Sequence, residues 1–212
     1  MKRFARIGLL VALCCLAHEL SAAEPSTQDK QAIFEKVLAE KPVVPKGVVY
    51  KEANADDNRK AFDKLWQVFV VGDRKTGTDD LTSNILICGP GLWHNIKDDP
   101  EMAKLKLGVT KIKVPTNNGV QELDGKLFQN KEEVAAFWKA FGRKYKPDPQ
   151  AKIRRPTARE LDLYWAMIPY DITEPIFMIE SKDAVILAQF TDSNMKLGWI
   201  DDYKDVHFKS ER

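Results

Sequence analysis

Three apolar runs close the chain, at residues 175–180, 184–190 and 195–200, and only short polar stretches separate them. Ser181-Lys182-Asp183 joins the first pair, and Thr191-Asp192-Ser193-Asn194 the second. A parallel crossover needs a dozen or more residues, so connections this short set each run antiparallel to the one before it. No other feature of the chain restricts its fold as tightly. The middle run is apolar at nearly every position. That pattern requires cover on both faces and makes it the expected central strand. Residues 206–208 are a candidate fourth strand.

Upstream the period changes from two to nearly four. Ile33, Phe34, Val37 and Leu38 recur at helical spacing after a Ser26/Asp29 pair that resembles a capping box, and Pro42 stops the run. Phe62, Leu65, Trp66 and Phe69 form a second stripe, with Asp56 or Asp57 as the expected cap and Gly72 as the end. Val134, Phe137, Trp138 and Phe141 form a third over residues 131–141, capped by Asn130 and closed by Gly142. Leu161, Tyr164, Trp165 and Ile168 form a fourth, opened by Thr157 with Glu160 and stopped by Pro169.

The segments between are shorter. Residues 73–84 are polar and read as a loop, residues 85–88 as a strand, and Gly89-Pro90-Gly91 as a sharp break. Asp99 with Pro100 predicts a short helix. Residues 111–129 read as a hairpin with turn signals at Asn117-Asn118-Gly119 and at Asp124-Gly125. Residues 143–155 are basic, contain two prolines and show no apolar period, so they read as a solvated linker. The expected fold is α+β: about four amphipathic helices packed on an antiparallel sheet formed largely by a C-terminal β-meander.

Residues 1–23 predict the destination. Lys2, Arg3 and Arg6 precede eleven apolar or small residues, 7–17, and Ser21-Ala22-Ala23 offers a cleavage site before Glu24. This is the layout of a secretory signal peptide. Eleven helical residues reach about 16 Å, short of a bilayer core of roughly 30 Å. The expectation is an exported protein, periplasmic or secreted, with residues 24–212 as a single domain and a weak subdivision near 143–156. Removing the leader takes three of the 33 basic and one of the 31 acidic residues and leaves 30 of each. A neutral mature chain argues against nucleic acid as a partner, which demands a basic face. It also lacks any run of eighteen apolar residues that would span a membrane. Cys14 and Cys15 depart with the leader, so Cys88 has no partner for an internal disulfide.

Four constellations offer chemistry. The run from Cys88 through Gly89-Pro90-Gly91 to His94 could pair a thiol with an imidazole base, oriented by Asn95, Asp98 or Asp99. The competing expectation is a buried structural cysteine between Ile85, Leu86, Ile87 and the glycines. Asp205 and His207, with Asp201 or Asp202, carry metal-ligand types, against a plain polar turn. Trp165, Tyr170 and Asp171 crowd the end of the fourth helix and could line a ligand pocket, with Asp171 or Glu174 as a base, against ordinary core packing. Arg143, Lys144, Lys146, Lys152, Arg154 and Arg155 form a basic cluster that could grip an anion, against a solvated face. Nucleotide, phosphate and zinc-protease motifs are absent, so no cofactor and no metal are expected.

The expected function is a non-catalytic domain that binds a small molecule or an envelope protein. The alternative is a cysteine-dependent hydrolase or transferase using Cys88 and His94. A third reading is a structural component of the cell envelope.

Overall fold

A computed structural model of the chain describes residues 27–116, 119–168, 172–173, 175–191 and 195–204. The four apolar stripes are helices. The first, α1 (Thr27–Ala39), buries Phe34 and Val37 against α2 (Ala55–Leu65), where the Phe34 and Phe62 rings lie 5.2 Å apart. Asn54 caps α2 by accepting from the Asp57 N–H, so Asp56 and Asp57 fill the first turn instead of capping it. Carboxylates there suit the positive end of the helix dipole.

The second stripe does not stay α-helical. From Trp66 to Val71 the chain widens into a π-helical turn, which ends at Gly72. Gly72 has a left-handed φ of 87°, and a Cβ there would lie 2.7 Å from the Pro147 ring, so both its backbone and its surroundings demand glycine.

Residues 74–81, expected as loop, form α3 (Arg74–Leu81). Then follow β2 (Thr82–Cys88, after the short β1 at Tyr50–Lys51), α4 (Pro90–Ile96) and α5 (Pro100–Ala103). The expected hairpin is β3 (Gly108–Thr116) with β4 (Gly119–Phe128), in register from Gly108↔Leu127 to Thr116↔Gly119. Next come α6 (Lys131–Lys144), β5 (Lys152–Arg154) and α7 (Ala158–Met167). β6 (Ile172–Thr173) pairs in parallel with β1 as a small separate sheet. The meander is β7 (Ile176–Glu180), β8 (Val185–Phe190) and β9 (Leu197–Asp202).

The main sheet runs β3-β4-β2-β9-β8-β7-β5 and is antiparallel except where β2 meets β9 in parallel. The hairpin therefore joins the meander, through β4 and β2. β8 is interior, as its composition demands, but the middle position belongs to β9. The basic stretch 143–155 is no linker: it ends α6 and supplies the edge strand β5. The candidate strand at 206–208 lies outside the described residues, as do the leader and its cleavage site.

Two apolar layers flank the sheet. The larger lies under α1, α2, α4 and α6 and contains Phe62, Phe128, Phe137, Phe141 and Phe177. The smaller lies between the sheet, the β3 arm and α7, and holds Ile112, Val114, Leu161, Tyr164, Met178, Leu187, Trp199 and Tyr203. Among the described residues no helix is long and apolar enough to cross a membrane.

Candidate functional site

The parallel pair β2 and β9 ends at one place, and the residues singled out at 88–95 and 201–202 meet there. Gly89 leaves β2 in an extended conformation and begins α4, yet it has no side chain to cap the helix. Asp201 does that from β9. Its Oδ1 accepts from the Leu92 N–H at 2.8 Å and from the Asp202 N–H at 2.9 Å. A Cβ on Gly89 would lie 2.2 Å from the Asp201 Cγ, and one on Gly91 2.0 Å from the Asp202 carbonyl oxygen. The glycines that read as a break therefore admit the end of β9 against a helix.

Asp202 continues the network. Its Oδ2 accepts from the Tyr145 hydroxyl at 2.7 Å and from the Asn95 amide at 3.3 Å; that amide also donates to the Tyr145 oxygen at 2.9 Å. Its Oδ1 accepts from the Val185 N–H at 3.1 Å and the Lys204 N–H at 3.0 Å. One carboxylate thus ties α4, the end of α6, the start of β8 and the turn after β9.

Burial sets the electrostatics. Asp201 is 1% exposed and Asp202 3%. Loss of water pushes the Asp201 carboxyl up to about 8; the backbone donors at Leu92 and Asp202 oppose this, and the Asp202 charge adds to it. The Tyr145 hydroxyl is pushed above its ordinary range by burial and then by Asp202, so it acts as a donor.

Cys88 is 0% exposed, and burial, then the Asp201 charge, pushes its thiol well up. Its Sγ lies 3.6 Å from the Gly89 carbonyl oxygen, while His94 stands exposed on α4. This is the environment of an inert thiol, because the nucleophile is the thiolate. Of the groups considered to orient His94, Asn95 serves Tyr145 and Asp202, Asp99 caps α5 and binds Arg143, and Asp98 is exposed. Asp205 and His207 lie outside the described residues. Among the described residues no three His, Cys, Asp or Glu side chains group as metal ligands.

Four members of the basic cluster go to separate contacts, and Lys144 and Lys152 are exposed. Arg154 makes two 2.8 Å bonds to the Glu160 carboxylate and a third to Glu180 at 3.1 Å. Arg155 is buried over the Phe177 ring and donates to Asn58. Arg143 pairs with Asp99, and Lys146 donates to the Gly142 carbonyl.

On the opposite face, α7 is held by a complete capping box between Thr157 and Glu160. It lays Tyr164 edge-on against Trp199, with ring centres 5.7 Å apart. Trp199 is 3% exposed, and its Nε1 has no hydrogen-bond partner. Trp165 is half-buried beside this layer; Tyr170 and Asp171 lie outside the described residues. Trp199 falls in an apolar run, and nothing in its local sequence distinguishes it from its neighbours. A cleft bordered by Tyr145, Lys146, Asp148, Ser181 and Asp183 encloses about 20 Å³, room for about one water.

Compared with protein-family models, curated proteins and solved structures, the chain matches none of them.

Proposed function

We propose that the chain is an exported, non-catalytic binding domain that holds its ligand at the layer between α7 and the sheet. The observation that carries this reading is the Trp199 Nε1–H, a buried donor without an acceptor. An unmet buried donor costs about 1–3 kcal/mol, and a ligand that brings a carbonyl or ether oxygen recovers it. Trp165 adds aromatic surface at the edge of the same layer, in keeping with pockets that are mostly apolar with few polar groups. Three of the described groups that suggest chemistry in the sequence are engaged elsewhere. Cys88 is sealed and raised, and the Asp201 and Asp202 oxygens serve α4 and its neighbours. Export rests on the leader alone.

A thermal-shift screen of small aromatic and aliphatic carbonyl compounds tests the reading on residues 24–212. At least one compound raises the melting temperature, and its affinity falls about tenfold in Trp165→Ala and in Trp199→Phe, which deletes the N–H and keeps an aromatic ring. Compounds that bind both variants as tightly as the parent would overturn the placement.

A further inference from the structure

Arg74 begins α3 beside the left-handed Gly72. Its guanidinium lies on α6, 5.2 Å from the centre of the Phe141 ring. It occupies a notch in that helix: a Cβ at Gly142 would come within 3.1 Å of the Arg74 Nη1. The guanidinium therefore packs closely on the last turn of α6. Two of the three guanidinium nitrogens, Nε and Nη2, are shut off from solvent and have no hydrogen-bond partner. Arg74 forms no ion pair among the described residues, and the nearby Arg143 is taken by Asp99. Burial pulls the Arg74 pKa below its ordinary value, a direction that an anion at the guanidinium would reverse.

Nε–H and Nη2–H lie along one edge of the guanidinium plane and point the same way. Their spacing matches two oxygens of a carboxylate or a phosphate, which is why arginine binds both bidentately. Two buried, unmet donors on one such edge call for an anion with two oxygens side by side. The residue as a whole is only partly buried.

We propose that Arg74, seated on Phe141 and Gly142, is the receptor of an oxyanion site at the seam of α3 and α6. It takes a carboxylate or a phosphate group through its paired Nε–H and Nη2–H. The site is separate from the α7 layer and stands or falls independently of it.

The test titrates residues 24–212 with inorganic phosphate and, separately, with acetate at constant ionic strength, following arginine Nε–H resonances. The Arg74 resonance is identified by its contact with the Phe141 ring. It shifts saturably with one anion, and the same anion raises the melting temperature. Response to phosphate alone assigns a phosphate ligand; response to acetate alone assigns a carboxylate. In Arg74→Lys, which keeps the charge and loses the paired edge, the thermal response drops at least tenfold. An Arg74 resonance unmoved by either anion overturns the site, and so does an equal thermal response in the parent and Arg74→Lys. The titration of the parent needs no variant to fold.

Discussion

Asp201 shows how one buried side chain sets a pH dependence. Its carboxyl titrates near 8 in the fold, against about 3.9 in an unfolded chain. Between those values the unfolded chain has lost a proton that the folded chain keeps. Its contribution to stability is complete below pH 4 and is lost as pH rises through 8. Glu160, held below its ordinary range against the cost of burial by Arg154 and the Thr157 N–H, works in the opposite sense: its contribution is complete above its unfolded value and is lost as pH falls through the folded one. Asp201→Asn keeps an acceptor for the Leu92 N–H and cannot ionise. Urea denaturation across pH 4 to 8 will therefore show this variant gaining on the parent as pH increases. Parallel curves would contradict the assignment. The thiol prediction is equally direct: Cys88 resists alkylation in the folded protein at pH 7 and reacts once denatured, whereas fast labelling of the fold would restore the cysteine-enzyme reading.

At the scale of elements, the helices with caps and stripes of their own were legible. Asn130 accepts from the Glu133 N–H and opens α6, and Phe137, Trp138 and Phe141 pack into one aromatic file with centres 5.0 to 5.9 Å apart. Phe137→Ala should cost about 3–5 kcal/mol, read by chemical denaturation. α4 was hidden because its cap comes from Asp201, far along the chain, so the local signal is only Gly-Pro-Gly. α3 was hidden because residues 74–81 contain no apolar stripe. β5 was hidden in a basic stretch because Arg154 and Arg155 find their partners through the tertiary fold. The candidate site was legible as residue types and illegible as roles: Cys88, Asn95, Asp201 and Asp202 do converge, as ties between elements. Gly91→Ala probes that convergence. Its Cβ would strike backbone, which cannot swing aside, so a loss of about 3 kcal/mol is expected, larger than for alanine at an open glycine such as Gly108. Equal losses at the two positions would show that β9 yields.

For the whole molecule, the meander and the hairpin could each be read from spacing, but their union could not. It depends on β2 lying parallel to β9, a pairing across more than a hundred residues that leaves no local trace. If the leader acts as proposed, sequencing the exported protein from its first residue will begin at Glu24; a start at Met1 would remove the basis for export. The same parallel pairing has a consequence for assembly. Of the described strands, the one synthesised last occupies the middle of the main sheet, with three strands on either side. A growing chain thus carries two unfinished half-sheets, β3-β4-β2 and β8-β7-β5, with open edges facing each other until residue 202 is available to bridge them. A chain cut short before β9 loses the seam of the sheet instead of a fringe, and is left as one polypeptide carrying two half-sheets with open edges.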